Sequence, residues 1–182
     1  MRVISGKLKG RIIDGYNILG TRPTMDRVKE SIFGMIQDYI NNSVVLDLFA
    51  GTGNYGIECI SNGSKYVYFN DHNKKCIDVI NYNLSKMNIL NESKLTNLDY
   101  KAALNYYKNN NIKFDLVFLD PPYKENIINE ILSFLIKNDL LNINCLVICE
   151  FTKTEEFIND SLQLFKEKKY GEKYVFIYKY GN

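Results

Sequence analysis

Nowhere in the 182 residues is there an apolar run near the roughly 18 residues that a membrane span requires, and the opening Met1 to Gly10 lacks the apolar block of a secretory signal. The expectation is a cytoplasmic protein without a membrane anchor. Cysteine is sparse and unpatterned: Cys59, Cys76, Cys145 and Cys149 form no CxxC pair, and His72 is the single histidine. Neither a zinc cage nor a disulfide framework follows from that set, so no metal is expected and the thiols read as reduced and mostly buried. No internal repeat is present.

What the sequence does hold is enough apolar material, 46% of residues, for one well-buried core, and too short a chain for two comfortable domains. A single domain spanning residues 1–182 is expected. The net charge of +2 does not by itself call for a polyanionic partner, but residues 1–30 carry seven Lys/Arg against three Asp/Glu. A solvated face accounts for such an excess as readily as a nucleic acid does. The Asn-, Ile-, Lys- and Tyr-rich stretches also follow from an AT-rich genome and are assigned no role.

Arg2-Val3-Ile4 and Arg11-Ile12-Ile13 read as a short β-hairpin around a Gly- and Lys-containing turn. Thr24 can cap a helix with Asp26 in its first turn, and Val28, Ile32, Met35, Ile36 and Tyr39 recur at helical spacing to about Tyr39. From Val44 the pattern changes. Apolar runs at Val44 to Leu48, Tyr66 to Phe69, Leu95 to Leu98, Phe114 to Leu119 and Leu146 to Phe151 alternate with helical stretches, as parallel strands covered on both faces do. A short helix is expected near Thr154 to Asn159. Strands near Leu162 to Glu167 and Tyr174 to Tyr180, joined at Tyr170-Gly171, would form an antiparallel pair. The fold class is α/β, doubly wound and Rossmann-like, with a seven-stranded, mostly parallel sheet.

Val44 to Gly56 is a buried strand entering a glycine turn and then a helix. Gly51 and Gly53 allow the backbone to approach a ligand, and the helix start offers unpaired N–H groups, so a nucleoside-like cofactor fits there. Asp71, 20 residues after Gly51, is placed to accept ribose hydroxyls. Gly51-x-Gly53-x-x-Gly56 also satisfies the dinucleotide pattern, so NAD stays in contention. Asp47, four residues before Gly51, tips the balance toward a cationic cofactor such as S-adenosylmethionine, because its charge suits a sulfonium or ammonium and opposes a pyrophosphate. An ordinary strand-end cap is the bland alternative for Asp47.

The Phe114 to Leu119 strand runs into Asp120-Pro121-Pro122-Tyr123. Two prolines fix φ and remove two donors, leaving the Pro121 carbonyl and the Asp120 side chain as fixed acceptors near one point. That point suits an NH2 group: accepting both N–H bonds pyramidalises an exocyclic base amine and aims its lone pair. Tyr123 can stack on the base. Asp120, Pro121 and Tyr123 are therefore the catalytic candidates, against the bland reading of a rigid strand-to-helix turn.

With these residues in place, the chain resembles the RsmD family over essentially its full length. The resemblance rests on Arg2-Val3-Ile4-Ser5-Gly6 with Lys9-Gly10, on Arg22 through Phe33, on Leu46 through Gly53, on Phe114 through Tyr123, and on Tyr170-Gly171. It implies a class I methyltransferase that moves a methyl group from S-adenosylmethionine to the N2 amine of a guanine in 16S ribosomal RNA, within a small-subunit assembly particle. It implies cofactor contacts at Asp47, Phe49, Gly51, Gly53, Asp71 and Asp99. Residues 1–41, with Arg22, Pro23, Thr24 and Arg27, would contact RNA, and residues 42–182 would form the cofactor-binding and catalytic core. The chain departs from the family pattern at Asn73, where a second acid is common, and at Asn54-Tyr55, where small residues are common.

Three rivals stay open at this stage. One is a methyltransferase of another base amine, such as adenine N6 in DNA or RNA, since Asp-Pro-Pro-Tyr recognises an NH2 group without choosing the base. The others are an RNA-binding assembly factor without turnover and an NAD-dependent oxidoreductase. A domain of this size can act as a monomer.

Overall fold

The computed structural model describes residues 1–15, 26–121, 127–151, 160–171 and 173–181. The expected helix at Thr154 to Asn159 and the Thr24 cap lie outside them.

Twelve regular elements follow one another among the described residues: α1 (Asp26–Ile36), β1 (Val44–Asp47), α2 (Asn54–Ser61), β2 (Tyr66–Asn70), α3 (Lys74–Lys86), β3 (Ser93–Thr96), α4 (Tyr100–Asn109), β4 (Phe114–Leu119), α5 (Ile127–Lys137), β5 (Leu141–Phe151), β6 (Leu162–Tyr170) and β7 (Lys173–Tyr180). The sheet runs β3-β2-β1-β4-β5-β7-β6. The first five strands pair in parallel, and β7 is antiparallel to both β5 and β6. This is the doubly wound, seven-stranded sheet with an antiparallel C-terminal pair that the apolar runs predict.

Those runs are continuous because each strand is buried on both faces. Val45, Leu116, Phe118, Leu146 and Ile148 face one core with Val28, Ile32 and Ile36 of α1, Ile57 and Ile60 of α2, and Ile77, Ile80 and Leu84 of α3. Their neighbours Leu46, Val117, Leu119, Val147 and Cys149 face a second core with Leu104 and Tyr107 of α4 and Ile131, Leu132 and Leu135 of α5. Full burial of side chains such as Ile32 and Ile36 stabilises by roughly 1.5–3 kcal/mol each. The four cysteine thiols are buried within these layers.

Two expectations need adjustment. The helix read as reaching Tyr39 ends at Ile36 and tightens into a 3-10 turn over Gln37–Tyr39. The N-terminal hairpin has a single bridge, Arg2 to Ile12, flanked by hydrogen bonds from Val3 N to Arg11 O and from Ile13 N to Met1 O, and a 3-10 turn over Gly6–Leu8 replaces its expected tip. Contact with α2 imposes that turn. Leu8 N donates to Ser61 Oγ, and a side chain at Gly6 would place its Cβ 2.0 Å from the Ser61 carbonyl oxygen. Gly6 also holds φ at +75°, a conformation that costs glycine little.

Candidate active site

In open α/β sheets, ligands bind outside the carboxyl ends of the strands where strand order reverses. Here the reversal falls at β1, which has β2 on one side and β4 on the other. The candidate residues collect along that edge.

The glycine turn between β1 and α2 is left-handed at Gly51 (φ 55°) and at Gly53 (φ 80°). Ala50 N donates to Asn70 O and Gly53 N to Ala50 O, which fixes the turn against the end of β2. Asp71 holds it from below: its Oδ2 accepts from Gly51 N at 2.9 Å and its Oδ1 from Asn73 N at 2.8 Å. At the first residue of α2, Asn54 accepts from Lys29 through Oδ1, while its Nδ2 is buried without a partner.

Asp47 closes β1 at 3% exposure, and its Oδ2 accepts one bond, from Gly56 N at 3.1 Å. Burial pushes its carboxyl up to about 7; the Gly56 bond opposes that shift, and the charges of Asp71 and Asp120 add to it. A buried acid poised in this way favours a cationic neighbour, as its placement before Gly51 predicts.

Asp99 and Phe49 stand nearer the other face. Asp99 is the N-cap of α4: its Oδ1 accepts from Lys101 N and Ala102 N, both at 3.0 Å. Phe49 packs against Tyr100 with ring centres 6.1 Å apart. Both thus stand at the start of α4.

Asp120 and Pro121 follow β4 and are half-buried. The sequence places Asp120 in a tight turn; the structure adds a cation, with Lys173 Nζ 4.0 Å from its Oδ1. Tyr123, Arg22, Pro23 and Thr24 lie outside the described residues. Arg27 is exposed on the first turn of α1, and among the described residues no ion pair ties it to Glu30. The structure therefore brings Asp47, Gly51, Gly53, Asp71 and Asp120 to one edge, with Asp99 and Phe49 beside them and Arg27 on a neighbouring helix.

Sequence reading alone passes over three further residues. Glu150, at the end of β5, is buried and accepts from the Tyr55 hydroxyl and from Lys173 Nζ at 2.7 Å. Tyr55, the second residue of α2, stacks on Phe118 at 4.9 Å with the rings 9° apart. The available signal was Glu150 itself, an acid inside the apolar Leu146 to Phe151 run.

A glycine turn at the sheet reversal, acids at successive strand ends and an antiparallel final pair define the class: this is the Rossmann-like fold of class I S-adenosylmethionine-dependent methyltransferases. It superposes on the "Putative methyltransferase yhhF" of Escherichia coli with a TM-score of 0.88 at 25% identity, covering 100% of this chain and 98% of that one. A family model described as conserved hypothetical protein 95 matches residues 1–179. The chain belongs to that family, the RsmD family. Among its relatives, the "Putative rRNA methyltransferase YlbH" of Bacillus subtilis is 36% identical over 98% of each chain. The ribosomal RNA small subunit methyltransferase D of Haemophilus influenzae is 35% identical over 94% of this chain and 89% of its own.

Proposed function

We propose that the protein transfers a methyl group from S-adenosylmethionine to the exocyclic N2 amine of a guanine in 16S ribosomal RNA, on a small-subunit assembly particle. The observation that carries the reading is the pairing, along one sheet edge, of a cation-favouring buried Asp47 beside the glycine turn with Asp120-Pro121 at the end of β4. The name of the Haemophilus influenzae relative, a ribosomal RNA small subunit methyltransferase, supports the choice of ribosomal RNA as substrate.

The residues present fit the cofactor. Asp47 supplies a buried negative charge, Gly51 and Gly53 let the backbone come close, and Asp71, already fixed by two backbone donors, retains lone pairs for ribose hydroxyls. Asp99 and Phe49 would flank the adenine side. When bound, S-adenosylmethionine supplies an electrophilic methyl on a positively charged sulfur. The protein's part is to prepare the nucleophile. Asp120 and the Pro121 carbonyl accept the two N–H bonds of the amine, which concentrates its lone pair on the side facing the methyl. With that methyl supplied, Asp120 and the Pro121 carbonyl would keep the amine aligned while its nitrogen gives up one proton to a carboxylate or water. Tyr123 would hold the base plane, since orientation alone can lower such a barrier by roughly 7 kcal/mol or more. Residues 1–41, with Arg22, Pro23, Thr24 and Arg27, would contact RNA, the arginines neutralising phosphates around a flipped guanine, while residues 42–182 form the catalytic core.

The test uses methyl-labelled S-adenosylmethionine with small subunits from cells lacking their guanine-N2 methyltransferases, followed by digestion to nucleosides. Label in N2-methylguanosine from one 16S position is expected, with Asp120→Ala lowering kcat by about 100-fold or more. Label in N6-methyladenine would overturn the choice of base, and no label despite cofactor binding would leave an assembly factor without turnover.

A further inference from the structure

Ile148 and Glu150 on β5 and Val175 and Lys173 on β7 are alternate residues, and Asp120, directly after the last residue of β4, stands two residues beyond Phe118. Phe118, Ile148 and Val175 all face the core that α1 and α2 cover. Alternation therefore puts Asp120, Glu150 and Lys173 on that same face. Register brings them together: Leu119 pairs with Cys149, which sets Asp120 beside Glu150, and Glu150 pairs with Val175, two residues from Lys173.

Within this group Glu150 is the fixed point. Its side chain is 3% exposed, and each carboxylate oxygen has its own donor, the Tyr55 hydroxyl on Oε1 and Lys173 Nζ on Oε2. Tyr55 is held in place by a three-ring cluster, its ring stacked 6.3 Å from Phe33 and 4.9 Å from Phe118. The chain of contacts from the aromatic stack through Tyr55 and Glu150 thus sets where the lysine ammonium stands. That ammonium is 4.0 Å from Asp120 Oδ1, outside direct hydrogen-bond range but well within the range of charge attraction.

We propose that Lys173, anchored by Glu150, is a positioning residue for Asp120 in methyl transfer. This rests on the reading that Asp120 accepts the protons of the amine. Asp120 stands close enough to Asp47 on β1 for their charges to act on one another, and it follows Leu119, whose register partner Cys149 precedes Glu150. The ammonium offsets that repulsion from one side and draws Oδ1 toward it, so the carboxylate keeps one orientation toward the substrate. A lysine that merely bridged two surface acids would contribute little, and one that contacted RNA phosphate would act on binding. Positioning differs from both in acting on the chemical step.

The experiment measures steady-state kinetics of the full chain on unmodified small subunits, for wild type, Lys173→Met and Lys173→Arg. Expected for Lys173→Met is a fall in kcat of about 10- to 100-fold with KM for the subunit and affinity for S-adenosylhomocysteine within about twofold of wild type. Lys173→Arg, which keeps the charge, recovers kcat to within about threefold. In an Asp120→Asn background, Lys173→Met costs less than about twofold, as two residues acting through one step require. Lys173 is 32% exposed, so Met is accommodated; should it lower the thermal midpoint, Lys173→Gln carries the same expectation. An unchanged kcat, or a loss confined to KM and steepened by salt, overturns the proposal. If wild type labels a base other than guanine, the choice of base fails while the lysine comparison runs on that base. If wild type transfers no methyl group at all, both fall.

Discussion

Two lysine–glutamate pairs meet α2, one through Glu58 and the other through Tyr55, and they are built differently. Lys29 and Glu58 are both 0% exposed and 3.0 Å apart. Every proton of that ammonium is used, by Glu58, Arg2 O at 2.8 Å and Asn54 Oδ1 at 2.9 Å, and Glu58 also accepts from Ile4 N, Ser5 N and Ser5 Oγ. The pair joins the N-terminal segment, α1 and α2 at one point. Lys173 and Glu150 are as close, at 2.7 Å, but only the glutamate is enclosed, and the lysine also stands near Asp120. A saturated buried pair has no remaining capacity to act on anything else, so its role is to hold three pieces of chain together. A pair enclosed at one end can transmit a fixed geometry to a third group.

Breaking the enclosed pair should have the largest effect on stability. Lys29→Met leaves Glu58 without its counter-ion and is expected to cost roughly 3–5 kcal/mol in urea unfolding; part of that loss should return in Lys29→Met with Glu58→Gln. Activity per folded molecule should change little.

Asp47 sharpens the contrast because among the described residues no lysine forms an ion pair with it. Its folded value near 7 lies above the ordinary value of 3.8, so the folded state binds the extra proton between those limits and this group's contribution to stability falls as pH rises from about 4 to 7. Asp47→Asn, which keeps an acceptor for Gly56 N, is expected to gain on the order of 2–4 kcal/mol over wild type at pH 8 and little at pH 4. Its affinity for S-adenosylmethionine should fall at pH 8, where the wild-type carboxylate is charged, and change little at pH 4, where it is protonated. A smaller effect is expected at the half-enclosed pair: Tyr55→Phe keeps the ring stack and removes one donor to Glu150, costing about 1 kcal/mol in the same unfolding assay. At the solvent limit, Lys74 and Asp78 on α3 are 2.7 Å apart and both well exposed. Lys74→Ala should shift stability by no more than about 0.5 kcal/mol, and a larger shift would mean that enclosure is not what separates these pairs.

The strands that face helices on both sides were legible in the sequence because nothing interrupts their apolar runs, as in Phe114 to Leu119. Elements with mixed surroundings were harder. β3 begins at Ser93, two residues before the apolar reading, because Ser93-Lys94-Leu95-Thr96 is a half-exposed edge strand. β5 begins at Leu141 rather than Leu146, since Asn142 and Asn144 interrupt the apolar run, Ile143 is exposed, and Asn144 takes a positive φ beside the register shift against β4. At the site, Asp47, Gly51, Gly53, Asp71 and Asp120 could be found because each belongs to a local pattern of strand end and turn. The partners of Asp120 could not. Glu150 and Lys173 are 30 and 53 positions further on, and only the sheet order, with β7 between β5 and β6, brings them near. Lys29 and Glu58 were hidden for the same reason, although a lysine beside the apolar stripe of α1 and an acid within apolar α2 were visible as anomalies.

That placement of β7 also governs the order in which the molecule can be completed. Among the described strands β6, which precedes β7 in the chain, pairs only with it, and β7 is also the outer neighbour of β5. A nascent chain that has reached Gly171 therefore holds β5 with a bare edge and β6 with no partner, a state prone to pairing with other chains. Closure waits on residues 173–180, and Lys173 enters with them. The cluster around Asp120 is thus the last part of the sheet to be assembled during vectorial synthesis.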